Sequence, residues 1–193
     1  LIMFSIKKLD EIVSKSDNFP TYISLIGKMY DALADIDKEN SKKYIILAEH
    51  YYRKAINLSP NNYNQDAKFS YSINLTKQGR VNDAVDLMRQ TVGYDERPSQ
   101  PHYFLGLALF NQGKSSWGEA LNELEYSFNM GYNPFKELSV VVYSDFMNYF
   151  YNKKDIKNLI IVVDRLSTID PAQSKTYIQL SDIMKTYKRI PII

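Results

Sequence analysis

Four prolines that recur at nearly equal intervals place the strongest constraint on how this chain can fold. Pro60, Pro98, Pro134 and Pro171 are separated by 38, 36 and 37 positions, and each ends one apolar, helix-like stretch and opens another. A repeat of this length is typical of architectures in which one unit cannot bury its own apolar face and stacks on its neighbours. The pattern predicts a surface that holds something, but it does not identify what is held.

Composition excludes several kinds of protein and site. Of the 193 residues, 45% are hydrophobic and 24% are charged, which is typical of a folded domain rather than a disordered chain. The formal net charge of +2 is too small to indicate nucleic-acid binding. The chain has no cysteine, so disulfides, thiolate zinc sites and cysteine nucleophiles are excluded.

The spacing of turn residues and apolar residues predicts an all-α chain. Gly79 and Gly113 lie 34 residues apart, and each follows one helical pattern and precedes another, as in a turn between two antiparallel helices. Asp155 takes the equivalent place in the next unit, without the glycine. Apolar residues follow the helical period in 84–92 and 103–110, and no stretch alternates with period two.

These residues resemble the tetratricopeptide repeat, whose pattern is Trp-x2-Leu-Gly-x2-Tyr, then Ala-x3-Phe, then Pro, over about 34 residues. Residues 26–30 and 105–109 resemble its first core, and the Ala-x3 pairs that begin at Ala48, Ala84 and Ala120 resemble its second. The resemblance implies a right-handed α-solenoid of about four antiparallel helix pairs, with a capping helix at each end. The expected units are a helix at 1–16, repeats at 20–60, 61–98, 99–134 and 135–171, and a helix at 174–188.

Small residues are predicted where the two helices of a unit cross, because only small side chains let helix axes approach within about 8–10 Å. The expected pairs are Gly27 with Ala48, Ser72 with Ala84, and Gly106 with Ala120. The fourth unit has Met147 and Leu159 there, which predicts a wider crossing. Extra residues around 37–43 predict longer helices or a projecting loop in the first unit. In the third unit, Ser116 with Glu119 fits a capping box.

The two ends of the chain have the pattern of helices without a partner helix. Residues 1–16 resemble the second helix of a repeat whose first helix is missing, and residues 174–188 resemble the first helix of a last repeat. The predicted inward stripe of the first helix is Ile2, Ile6, Leu9 and residues 12–13. The apolar residues 190–193 are expected to fold back over the other end. Because the chain starts on Leu, we expect a piece of a longer protein or a processed product.

A second resemblance supplies an alternative function. Residues 102–134 are similar to the soluble repeat tails of O-antigen ligase-type membrane proteins, which move or polymerise lipid-linked glycans. The resemblance implies a soluble tail involved in glycan assembly, and it assigns no catalytic residue. No stretch reaches the roughly 18 apolar residues of a membrane span, so no direct membrane insertion of this segment is predicted. Both a cytoplasmic segment and one attached to a membrane protein fit the sequence.

Catalytic and metal-binding patterns are not found in the sequence. His50 and His102 lie 52 residues apart without a zinc-ligand spacing, and both are expected to pack a ring and leave a nitrogen to solvent or to a neighbour. Asp35, Asp37 and Glu39 cluster without the glycine and bidentate glutamate of a calcium loop, so we expect a solvated turn. The sequence therefore predicts a non-enzymatic chain with no cofactor and no metal.

The best functional candidate is the concave face, which the first helix of each unit lines in the tetratricopeptide family. Carrying that register across assigns a protein or peptide partner to these residues: Ser24, Lys28, Phe69, Ile73, Tyr103, Leu107, Phe110, Ser144, Asn148 and Tyr151. The middle units then form an aromatic and apolar groove for an extended or helical apolar peptide. The alternative is that Phe69 and Tyr103 pack between adjacent units.

Overall fold

The computed structural model describes residues 1–15, 19–59, 64–93 and 99–188, and within them the chain forms ten α-helices and no strand. In chain order the helices are α1 (Ile2–Val13), α2 (Pro20–Ile36), α3 (Ser41–Asn57), α4 (Gln65–Lys77), α5 (Val81–Val92), α6 (Ser99–Gln112), α7 (Trp117–Asn129), α8 (Lys136–Asn152), α9 (Ile156–Ile169) and α10 (Ser174–Lys188). The all-α prediction is confirmed for these residues. Pro60, Pro98 and the predicted fold-back of 190–193 lie outside them.

Helices that follow one another in the chain pack as adjacent pairs. α2 packs on α3, α4 on α5, α6 on α7 and α8 on α9, which are the pairs that the sequence predicts. The first helices α2, α4 and α6 also contact one another in turn, and α1 and α10 pack on α2 and α9. None of the described helices is both long and apolar enough to span a lipid bilayer. The paired helices therefore form a series, with a further helix at each end.

Left-handed residues end the first helices at the predicted turns. Around Gly79, whose φ is 75°, the Arg80 amide donates to the Leu75 carbonyl oxygen over 2.9 Å. Lys154, with a φ of 57°, takes the same place before Asp155. Such a residue satisfies carbonyl groups that the helix end leaves open, and glycine adopts it most easily. The turn predicted at Asp155 is thus confirmed, with a lysine in the glycine position.

Two glycines lie where paired helices touch. A Cβ atom on Gly27 would stand 2.7 Å from Cε1 of Tyr52. A Cβ atom on Gly106 would stand 2.6 Å from Cγ of Leu124 and 3.1 Å from the carbonyl oxygen of Ala120. These distances are too short for a carbon contact, so α2 meets α3 and α6 meets α7 through glycine. A close approach of paired helices is confirmed at Gly27 and Gly106, with Tyr52 rather than Ala48 nearest to Gly27. The crossing of Ser72 with Ala84 and the wider crossing of the fourth unit stay predictions.

The extra residues of the first unit lengthen its helices. α2 and α3 have 17 residues each and are joined by the short turn 37–40. The turn is closed by Asp37, whose carboxylate accepts from the Asn40 amide over 3.2 Å and from its side chain over 2.9 Å. These hydrogen bonds lower the pKa of Asp37. Of the two predicted outcomes, longer helices are confirmed and a projecting loop is not.

Two local predictions at helix ends are wrong. The Ser116 hydroxyl donates to Oε1 of Gln112 over 2.7 Å, and no side chain caps α7, because a 3-10 turn at 114–116 precedes the helix. In α1 the inward stripe ends on Val13, while Ile12 is half exposed. Successive helical residues point about 100° apart, and here Val13 faces the core while Ile12 is turned toward solvent.

The apolar core consists of two clusters, and polar side chains lie at the boundary between them. One apolar cluster joins α1, α2 and α3 with Ala67 of α4, and the other extends from α4 to α9. At the boundary, the Tyr52 hydroxyl and the Asn74 amide donate to the two oxygens of Asp31 over 2.8 and 2.9 Å. Asn74 also donates to the Ile45 carbonyl oxygen over 3.1 Å. Three helices are thus joined through one nearly buried carboxylate.

Burial raises the pKa of Asp31, and the hydrogen bonds from Asn74 and Tyr52 and the Lys77 charge oppose this only in part. Native Asp31 therefore holds a proton more tightly than the unfolded chain does, and its contribution to stability should become more favourable as pH falls. We expect the unfolding free energy of the wild type, relative to Asp31→Asn, to rise between about pH 7 and pH 4. Urea unfolding at both pH values measures this difference, and a fall toward acid pH would contradict it.

A second carboxylate joins the third unit to the fourth. Glu125 of α7 accepts two hydrogen bonds of 2.9 Å from the Arg165 guanidinium of α9 and one of 2.7 Å from the Tyr143 hydroxyl of α8. The hydrogen bond to Glu125 raises the pKa of Arg165, so the guanidinium stays protonated. Phe128 stacks on Tyr143 with ring centroids 5.5 Å apart. Aromatic and charged groups therefore fix α8 against α7, next to the surface described below.

Candidate functional site

Eight of the ten predicted partner-binding residues fall into two registers around the crossing position of each first helix, and Phe110 and Tyr151 lie four residues after that position. One set lies three residues before the crossing position and the other lies one residue after it. The first set is Ser24, Phe69, Tyr103 and Ser144, and the second is Lys28, Ile73, Leu107 and Asn148. Residues four apart point only about 40° apart around a helix, so the sequence treats both sets as one face. The structure separates them.

The residues three positions before the crossing point into the space between neighbouring units. Phe69 is 4% exposed and stacks on Phe104 of the next first helix, with ring centroids 4.6 Å apart. Tyr103 is 0% exposed and its ring lies among Phe128 and Phe135, at 6.0 and 6.2 Å. Neither ring can touch a partner. Their assignment to a binding groove is therefore wrong, and the alternative that they pack between units is the observed one.

The middle of the predicted groove is filled as well. Phe110 stacks on Trp117 at 4.9 Å and meets Phe146 edge-on at 5.4 Å. The Trp117 indole N–H donates to the Phe110 carbonyl oxygen over 2.9 Å, which fixes both rings. Leu107 is half-buried against the same cluster. An aromatic groove in the middle units is thus absent from the described residues, because its side chains pack at the junctions between units.

The predicted residues that remain open to a partner mark what we call the first-helix face. It consists of the exposed sides of α2, α4 and α8, with Lys28, Ile73, Asn148 and Tyr151 at its surface. Ile73 is 39% exposed and Tyr151 is 70% exposed. The four residues come from three units, so a bound segment could contact more than one of them.

On α2 the first-helix face is apolar, and sequence reasoning missed this part. Leu25 and Ile36 are exposed, with Ile36 at 71%. The ion pair between Lys77 of α4 and Asp35 of α2, at 3.0 Å, ties the two helices together beside Ile36. The signal was the apolar series at positions 25, 29, 32 and 36, which follows the helical period on the side opposite Gly27. Within it, Met29 packs against the cluster of the first three helices, and Leu25 and Ile36 stay exposed.

At α8 the first-helix face opens into a concavity that we call the junction pocket. It is lined by Lys114, Trp117, Asp145, Asn148, Tyr149, Asn152 and Lys153. The pocket exists because the turn between α6 and α7 lies against the second half of α8. Among its residues only Asn148 is in the predicted set. The missed lysines each follow a first helix directly, at the turns after Gln112 and Asn152.

Aromatic rings form one wall of the junction pocket, and both lysines lie near them. The Trp117 and Tyr149 rings meet edge-on with centroids 5.1 Å apart. The Lys114 ammonium lies 6.0 Å from the Trp117 centroid, and the Lys153 ammonium lies 6.0 Å from the Tyr149 centroid. Such distances are at the outer limit of a cation–π interaction, so the rings hold the ammonium groups only weakly.

Of the two histidines, His102 is half-buried and packs as the sequence predicts, whereas His50 is exposed. The His102 ring lies against Tyr126, with centroids 4.2 Å apart, and its Nδ1 contacts the Glu123 carboxylate. The His50 ring meets Tyr51 edge-on at 5.4 Å. Within residues 1–15, 19–59, 64–93 and 99–188, no group of three or more metal-ligating side chains is arranged to hold an ion.

Neither a family model nor a curated protein matches this chain.

Proposed function

We propose that this chain is a non-enzymatic scaffold of the tetratricopeptide type, a right-handed α-solenoid of about four units, which binds a segment of a partner protein on the first-helix face. The resemblance of residues 26–30 and 105–109 to the family pattern supports the fold, together with the observed pairing of helices. The face of the first helices is the part of such a fold that is free to receive a peptide.

One observation carries the functional part of the proposal. Two large apolar side chains, Ile36 and Tyr151, are 71% and 70% exposed on the first-helix face, although Phe69 and Tyr103 are almost wholly buried. A single exposed apolar side chain is ordinary, but exposed ones on the first helices of two units favour a contact surface for a partner. A protein segment that covers them would remove apolar area from water.

Site-specific photocrosslinking in the cells that make the protein tests this proposal. A crosslinking amino acid is placed at Ile36 or Tyr151, and at matched controls on second helices, Ile46 and Tyr126. Ile46 is 55% exposed, so the controls are also open to solvent. We expect positions 36 and 151 to capture the same protein and positions 46 and 126 not to capture it. Equal capture at all four positions, or none at 36 and 151, would contradict the proposal.

The alternative of a soluble tail in glycan assembly rests on the resemblance of residues 102–134 alone. No contact of those residues favours it over a free adaptor, and the same crosslinking experiment identifies the partner in either setting.

A further inference from the structure

We propose that the partner on the first-helix face is a second copy of this chain, bound so that α2 of each copy packs against α8 of the other. This inference rests on the proposed function and adds to it the identity of the partner. It is carried by two exposed apolar patches with opposite charges, which we call the α2 patch and the α8 patch.

Exposed apolar side chains are concentrated on two of the first helices. Among the described residues, α2 and α8 each expose three large apolar side chains, whereas α4 exposes only Ile73 and α6 exposes none. The α2 patch contains Tyr22, Leu25 and Ile36, and the α8 patch contains Leu138, Val141 and Tyr151. A partner that covers both patches has to carry two apolar surfaces of its own.

One charged side chain adjoins each patch near the middle of its helix. Lys28 follows Leu25 by three residues and Asp145 follows Val141 by four, which are the spacings of neighbours on a helix surface. Both charged side chains are exposed. Within the described part of the chain, neither forms an ion pair or a side-chain hydrogen bond. The α2 patch therefore carries a free positive charge, and the α8 patch carries a free negative charge.

The lengths of the two helices bring these charges together. α2 and α8 have 17 residues each, so Lys28 and Asp145 lie at nearly the same distance along their helices. When α2 of one copy lies along α8 of another, an ammonium group meets a carboxylate and apolar side chains meet apolar side chains. Each patch thus has the chemistry that the other patch requires.

A two-fold axis makes the arrangement complete. In a symmetric pair, a contact of one residue with a second residue of the other copy is always accompanied by the reciprocal contact. The α2 patch of each copy then covers the α8 patch of the other, and no patch remains open. The pair therefore closes at two copies and does not grow into a filament.

Reversing one charge at a time tests the proposal in the full chain. We expect analytical ultracentrifugation of the wild type to show a reversible, concentration-dependent dimer. Lys28→Glu or Asp145→Lys places like charges opposite each other in both contacts, so either variant should raise the dissociation constant of the dimer at least about tenfold. Lys157→Glu makes the same reversal at an exposed site on α9 and should leave the dimer unchanged.

Mixing the two variants gives the sharpest result. In a dimer of one Lys28→Glu chain and one Asp145→Lys chain, both contacts again join opposite charges. The equimolar mixture should therefore dimerise with nearly the wild-type affinity, although neither variant does so alone. Misfolding of a variant cannot produce this rescue.

Four results would each overturn the proposal: a wild type that stays monomeric at every concentration, wild-type species larger than a dimer, equal weakening by Lys157→Glu, or no rescue in the mixture. Failure of the proposed function is distinguishable from these. If positions 36 and 151 capture a different protein, the scaffold function stands and the second copy is wrong. If those positions capture nothing, the scaffold function fails whatever the centrifugation shows.

Discussion

Replacing Phe69 with alanine is expected to lower the free energy of unfolding by about 3–5 kcal/mol. The ring is 4% exposed and stacks on Phe104 across the boundary between the second and third units. Its loss removes apolar area from the core and leaves a cavity between α4 and α6 that these helices can close only in part. Urea unfolding followed by circular dichroism measures the loss.

Ile73 provides the matched control, because it lies one turn further along α4 and belonged to the same predicted face. Its side chain is exposed, so Ile73→Ala should change the free energy of unfolding by less than about 1 kcal/mol. If Phe69→Ala does not fold, Phe69→Leu keeps most of the volume and should show a smaller loss. Equal stability of Phe69→Ala and the wild type would contradict the buried position of the ring.

Adding one methyl group at Gly106 is expected to destabilise the chain by about 1–3 kcal/mol. Alanine is the better helix former by about 1 kcal/mol, so the expected sign opposes intrinsic propensity. The new Cβ atom would stand 2.6 Å from Cγ of Leu124 and 3.1 Å from the backbone oxygen of Ala120. The backbone atom cannot move without shifting α7, so the two helices must separate. Thermal and urea unfolding of Gly106→Ala measure the effect.

Gly118→Ala is the control, and it is expected to change the free energy of unfolding in the opposite direction. Nothing lies within 4 Å of a Cβ atom at Gly118, so alanine there should stabilise the chain by up to about 1 kcal/mol. A double-mutant cycle of Gly106→Ala with Leu124→Ala adds a second check. Truncating Leu124 removes the nearest contact, so the two changes should be less destabilising together than the sum of each alone. Strict additivity would show that α6 and α7 do not meet at Gly106.

Features set by local chemistry could be predicted from the sequence. The helical period and the turn residues around Gly79 and Gly113 were enough for the helix pairs, because these signals act within one or two turns of the chain. Gly27 and Gly106 were placed correctly since a glycine inside an apolar helix usually marks a close approach. The Lys154 turn was recognised by its spacing alone, without the glycine.

The site was predicted only in part, because burial depends on the neighbouring unit. Lys28, Ile73, Asn148 and Tyr151 are exposed as expected. Phe69 is not exposed, because a rotation of about 40° around α4 separates a side chain that points outward from one that points into the space between units. Sequence spacing does not resolve that angle.

The capping box was predicted wrongly and the junction pocket was missed, in both cases because of contacts that the sequence does not show. Ser116 fits the capping pattern, but it ends a 3-10 turn, and its hydroxyl donates to Gln112 instead. Lys114 and Lys153 come from turns of different units and meet only through the packing of α8 against the turn after α6.

The most direct test of whether neighbouring helix pairs share one apolar core is amide hydrogen exchange. It compares Phe69→Ala with Ile73→Ala and the wild type. Phe69 belongs to α4, but its ring is stacked on α6, in another unit. We expect Phe69→Ala to speed exchange in both α4 and α6, and Ile73→Ala to leave α6 unchanged. Faster exchange confined to α4 in the Phe69 variant would contradict a shared core and the stacking of units that depends on it.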